Sequence, residues 1–132
     1  MKLHVRIMLA NERDEEFMGA GLLELLDGIE RRRSIAQAAR AMNLSYVKAL
    51  RILARLERNL GRKLVLRQKG GAAHGGAELT PAGRRFARDF KRLHDSLARL
   101  AQRRFKPFQT KYGRKRTCIP PSNGLLPKPR RA

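Results

Sequence analysis

Between residues 34 and 60 the sequence SIAQAARAMNLSYVKALRILARLERNL carries two helix-start signals close together. Ser34 precedes an apolar-periodic stretch and Gln37 follows it three residues on, the pattern of a capping box. Ile35, Ala38, Ala39 and Met42 then recur at helical spacing, with side chains small enough for a second helix to cross closely. Asn43-Leu44 breaks the pattern and Ser45 supplies a second N-cap. The helix it opens runs from Tyr46 to about Leu60, where Gly61 stops it. On that helix Ala49, Leu53, Leu56 and Leu60 form one stripe, with Leu50 beside it, and Lys48, Arg51, Arg55 and Arg58 form another roughly opposite. Two capped helices joined by a turn of about three residues, the second apolar on one face and basic on the other, restrict this stretch to a helix-turn-helix.

The flanks extend the motif into a domain. Residues 3–10 alternate loosely and read as an edge strand, followed by an acidic loop at 11–16. A helix from about Met18 to Arg31 presents Leu22, Leu25, Leu26 and Ile29 on one buried face. After the helix-turn-helix, Leu64–Arg67 and Ala77–Leu79 are short strands around the glycine-rich tip 70–76, which makes a β-hairpin wing. Thr80 caps a last helix with Pro81 in its first position, where a missing N–H costs nothing. That helix reaches about Phe105, and Phe86, Phe90, Leu93, Leu97 and Leu100 step along it by 4, 3, 4 and 3, a heptad-type seam suited to pairing with a second copy. The expected fold is therefore mainly α: a winged helix-turn-helix over residues 1–105 with a short N-terminal strand, a hairpin wing and a long C-terminal dimerisation helix. Residues 106–132, basic and without acids, read as a flexible tail.

Charge narrows the partner. The chain of 132 residues holds 31 Lys and Arg against 11 Asp and Glu, a formal net charge of +20. Residues 1–30 contain seven of those acids and only three bases, so the excess lies downstream. Such a field favours a polyanion, and double-stranded DNA fits the motif. Ser45, Tyr46, Lys48 and Arg51 stand nearest the base edges, because a recognition helix presents its N-terminal residues to the major groove. Arg55 and Arg58 lie further along and suit phosphates. Ser34 and Gln37 join the DNA-facing set from the start of the preceding helix. Arg67, Lys69 and His74 do so from the wing, whose glycines let the backbone approach a phosphate or enter the minor groove. A solvated charged face is the bland alternative for the stripe, as a disordered loop is for the wing. Arg31-Arg32-Arg33 and the basic tail add candidate phosphate contacts or are merely solvated.

Other chemistries find little support. Gly19-Ala20-Gly21 half-matches a dinucleotide fingerprint, but Glu24 occupies the place of its third glycine. The glycines at 70–76 lack the Lys-Ser/Thr ending of a phosphate loop. His4, His74 and His94 are scattered, and the single cysteine, Cys118 beside Lys115 and Arg116, excludes an internal disulfide and a Cys-rich metal site. No enzyme, cofactor, metal, membrane or small-molecule ligand is expected. The N-terminus reads as a strand rather than a signal peptide, which points to a cytoplasmic, nucleoid-associated protein.

The order strand, helix, helix-turn-helix, wing, long helix resembles the N-terminal domain of ModE-type molybdate-responsive regulators, which is related to the LysR-type domain. The resemblance rests on Gly21-Leu22-Leu23-Glu24-Leu25-Leu26, on Ser34-Ile35-Ala36-Gln37-Ala38-Ala39-Arg40-Ala41-Met42, on Ser45-Tyr46-Val47-Lys48-Ala49 and on Gly75-Gly76-Ala77-Glu78-Leu79-Thr80-Pro81-Ala82-Gly83. It implies a homodimer formed through the first and last helices, with Leu22 alongside the seam residues, and a palindromic operator read by Ser45, Tyr46 and Lys48. Leu50 stands where that family usually has Trp, and Ala72-Ala73-His74 replaces part of a more basic wing tip. The 27 residues after 105 are too few for the family's molybdate-binding domains, so the expectation is a sequence-specific regulator without its own effector domain. A non-specific nucleoid or RNA-associated binder, or a module that sequesters another regulator, are the alternatives.

Overall fold

The computed structural model describes residues 1–68 and 76–114. Two short strands, β1 (Leu9–Ala10) and β2 (Glu16–Met18), precede three helices, α1 (Ala20–Arg32), α2 (Ile35–Ala41) and α3 (Tyr46–Leu60). The strands β3 (Val65–Gln68) and β4 (Gly76–Leu79) follow, and α4 (Pro81–Tyr112) ends the described chain. Val5–Ala98 form one compact unit, and Met1–His4 with the described residues from Arg99 onward form another.

The larger unit is built around the apolar stripes of its helices. Leu25, Leu26 and Ile29 of α1, Leu56 of α3 and Leu64 are completely or almost completely buried. The small side chains of α2 do what their size permits: a Cβ on Gly28 would lie 3.1 Å from the Cβ of Ala38, so α1 and α2 cross with no room for a larger group. Both serine caps form. Ser34 Oγ accepts from the Gln37 N–H and Ser45 Oγ from the Lys48 N–H, each at 3.1 Å. Asn43 takes the left-handed conformation in the turn between α2 and α3 (φ 60°), a geometry asparagine tolerates better than most residues. Gly61 closes α3 in the same conformation (φ 66°).

The N-terminal expectations need correcting. Only Leu9–Ala10 of residues 3–10 pairs as a strand, and its partner is β2, at the end of the stretch read as an acidic loop. Asn11 explains the turn. Its side-chain oxygen accepts the N–H groups of Arg13 and Glu15 at 2.8 and 3.0 Å and bends the chain back. Met18 therefore belongs to β2, and Gly19 rather than a capping side chain precedes α1.

The wing pairs Val65 with Leu79 and Gln68 with Gly76 in an antiparallel ladder. Where α4 begins, Thr80 Oγ1 accepts from the Gly83 N–H and donates to the Lys63 carbonyl, each at 2.9 Å. A Cβ on Gly83 would overlap the Leu64 carbonyl oxygen, a backbone atom that cannot swing aside. Gly83→Ala should therefore lower the unfolding free energy by about 2–3 kcal/mol in denaturant titrations. Gly21, on exposed α1 surface with open space around it, gives the matched control: Gly21→Ala should be neutral or slightly stabilising.

The last helix runs past its expected end at Phe105, through Pro107, to Tyr112. A proline there forfeits one backbone hydrogen bond. Phe105, Phe108 and Tyr112 keep the turns together by packing ring on ring, with centroids 6.1 and 5.0 Å apart. Gln102 and Gln109 also donate to the carbonyls of Leu3 and Met1, at 3.2 and 3.0 Å. The first seven residues assigned to a flexible tail, 106–112, are thus helical.

Candidate nucleic-acid interface

The face of α3 opposite its buried Ala49, Leu53 and Leu56 consists of Val47, Arg51, Ala54 and Arg58, all exposed and spaced by four, three and four residues. Tyr46 and Lys48 flank it at the N-terminal end and are also exposed. Ser45 Oγ is committed to its cap, which leaves it one further lone pair and a proton for an outside group. Ser34 and Gln37 lie at the start of α2, where Ser34 is half-buried and Gln37 exposed. Arg55 is turned away from the outer face, and its guanidinium donates to the Glu16 carbonyl at 3.2 Å. Arg67 lies on β3 and donates to the Tyr46 hydroxyl at 3.2 Å, which joins the wing to the N-terminal end of α3. Lys69 and His74 lie outside the described residues, as do Lys115, Arg116 and Cys118.

The wing is fastened to the helices by carboxylates. Glu57 Oε2 accepts the N–H groups of Leu64 and Val65 at 2.8 and 3.0 Å. Glu30, at the end of α1, accepts the Leu79 N–H at 3.2 Å and pairs with Arg84 of α4. The Arg84 guanidinium holds the Glu30 carboxyl below its ordinary pKa, and the Leu79 N–H works in the same direction. Glu78 of β4 receives Arg33 at 2.5 Å and Arg84 at 3.6 Å. Arg33, though exposed like Arg31 and Arg32, is therefore tied into this network by its ion pair with Glu78.

Sequence reasoning passed over Val47 and these carboxylates. Val47 was legible: it stands four residues before Arg51, on the same helical face, and at 59% exposure it is the most open large apolar side chain of α3. An apolar group there matches the methyl of thymine in the major groove. Glu57 and Glu78 left only the weak signal of being two of the four acids after residue 30.

The expected seam on α4 divides. Phe90 is buried inside the fold, its ring stacked on Phe86, and Leu22 is buried in α1, so neither is open to a partner. Leu93, Leu97 and Leu100 remain 36–43% exposed. Among the described residues no helix is long and apolar enough to cross a membrane, and no group of three His, Cys, Asp or Glu is placed to hold a metal.

Comparison with known proteins agrees with this geometry. Residues 21–84, from the start of α1 through the first turn of α4, match the bacterial regulatory helix-turn-helix protein family of LysR type. The molybdenum-pterin-binding protein MopB of Rhodobacter capsulatus is 37% identical over 89 residues, which are 67% of this chain and 33% of MopB. The molybdenum transport protein ModE of Azotobacter vinelandii is 35% identical over 85 residues, 61% of this chain and 32% of ModE. The chain thus spans about a third of the length of these relatives. Among solved structures, the CbnR_DBD–DNA complex superposes with a TM-score of 0.56 at 28% identity, covering 68% of this chain and 98% of that one. Vibrio fischeri DarR in complex with DNA shares the fold, with a TM-score of 0.52 at 23% identity over 67% of this chain and 28% of that one. The two serine-capped helices, the hairpin after them and the matched family agree: residues 21–84 carry the LysR-type helix-turn-helix within a winged helix-turn-helix fold, and the chain is similar to the corresponding segments of MopB and ModE.

Proposed function

We propose that the protein is a sequence-specific transcription regulator that binds double-stranded DNA as a homodimer in the cytoplasm. The observation that carries this reading is the outer face of α3, where Val47, Arg51 and Arg58 are aligned and exposed beside the joined pair Tyr46 and Arg67. Apolar and bidentate cationic groups on one helix face are what base edges in the major groove require. The same fold in the CbnR_DBD–DNA complex supports DNA as the ligand. The molybdenum in the names of MopB and ModE stays with those proteins, since the match covers only about a third of each.

The exposed Leu93, Leu97 and Leu100 support the dimer, because three large apolar side chains on one helix otherwise face water. Leu97→Glu should convert a dimer to a monomer in sedimentation velocity and weaken operator binding about tenfold or more, since each half-site then binds alone. An unchanged sedimentation coefficient would place the interface elsewhere.

Selection of duplexes from a random pool tests the whole reading. Inverted repeats with half-sites about 34 Å apart, one helical turn, are the expected product. A pool that shows no enrichment removes sequence specificity. The net charge of +20 favours a non-specific nucleic-acid binder in that case.

A further inference from the structure

We propose that Glu57 is a positioning residue for DNA reading, fixing the wing against the recognition helix so that the two dock as one rigid body. This rests on the DNA-binding role proposed above. Glu57 stands on α3 itself, one residue before Arg58 of the outer face, yet its side chain is turned inward and only 19% exposed. One oxygen, Oε2, takes both backbone N–H groups at the start of the wing, those of Leu64 and Val65. The other, Oε1, lies 3.8 Å from Lys63 Nζ. Leu64 is held from its other side as well, since its carbonyl accepts the Thr80 N–H at 2.9 Å. Near the far end of α3, Tyr46 accepts from Arg67 of β3. The first wing strand is consequently fastened to the recognition helix at two points.

The electrostatics make the choice of residue informative. A carboxylate on a helix that approaches phosphate works against binding through its charge. The two amides need only an acceptor, and a neutral oxygen would serve them. What Glu57 contributes is an oxygen at the correct reach, and charge and reach can be separated by substitution. Glu57→Gln removes the charge and keeps an oxygen at the same distance. Glu57→Asp keeps the charge and withdraws the oxygen by about 1.5 Å, one carbon–carbon bond, too far to hold both amides.

The experiment compares wild type and the two variants on a duplex selected from a random pool and on a shuffled duplex of equal length and composition. Circular dichroism establishes that each variant is fully folded at the assay temperature. The ratio of the two affinities is the readout, because a uniform loss of folded protein lowers both affinities and leaves the ratio unmoved. The expected result is a ratio within about twofold of wild type for Glu57→Gln and reduced about tenfold for Glu57→Asp. Asp intact with Gln impaired would assign the effect to charge and overturn the proposal, and so would two variants with the wild-type ratio. Wild type that binds both duplexes equally fails before any variant is compared, and withdraws the regulator reading together with this one.

Discussion

Raising the salt concentration from about 50 to about 200 mM is expected to lower the affinity for duplex DNA by about five orders of magnitude. The estimate follows from counterion release. If each protomer of a dimer neutralises about five phosphates, log affinity falls with log salt at a slope near −9. On the interface proposed above, the exposed cations Lys48, Arg51, Arg58 and Arg67 of α3 and β3 would supply most of that number, and Arg31 and Arg32 at the end of α1 are also exposed. Fluorescence anisotropy of a labelled duplex across a salt series measures the slope directly. A slope near −4 or shallower would mean a single protomer on the DNA and would count against the dimer. The test is independent of operator sequence, because phosphate contacts carry no base information.

Charge reversal at Arg51 should have the second-largest effect. Arg51 lies at the centre of the exposed stripe on α3, with Val47 one turn before it and Arg58 two turns after. Losing a base contact costs about 1–3 kcal/mol, and adding a carboxylate against the phosphates adds to that, so Arg51→Glu should bind about a hundredfold more weakly or worse. Net charge alone falls by two units in any such reversal. Arg13→Glu supplies the control, because Arg13 sits in the turn between β1 and β2 with its side chain 86% exposed. That variant should lose less than about threefold, because salt screens an exposed charge that lies away from the duplex. Equal losses in the two variants would show that only total charge matters, and would favour the non-specific binder.

The central helices were legible because local chemistry settles them. Ser34 and Ser45 cap, Gly61 terminates, and the apolar spacing of α3 identifies its buried side without knowledge of the rest of the chain. The N-terminal hairpin was not, because its turn depends on one side chain, Asn11, folding back on its own backbone inside a run that looks merely acidic. The extension of α4 through Pro107 escaped for the opposite reason. A helix breaker is visible in sequence, whereas the ring packing of Phe105, Phe108 and Tyr112 that offsets it appears only once those residues share a face. At the candidate site the basic stripe was plain, but Arg33 and Arg55 are cations whose partners, Glu78 and the Glu16 carbonyl, lie far along the chain. Leu22 and Phe90 show the same limit. A heptad step identifies an apolar stripe, and tertiary packing decides which of its members the protein buries for itself.

The hydrogen bond between Arg67 and Tyr46 also bears on how tightly the protein can engage DNA. A long arginine free in solvent must surrender up to about 2 kcal/mol of rotamer entropy when it is immobilised on a ligand. Arg67 is already tied to the Tyr46 phenolic oxygen, so part of that ordering is completed when the chain folds. On the DNA-binding face proposed above this pair is preorganised, and binding there would draw correspondingly less on the freedom of the uncomplexed protein.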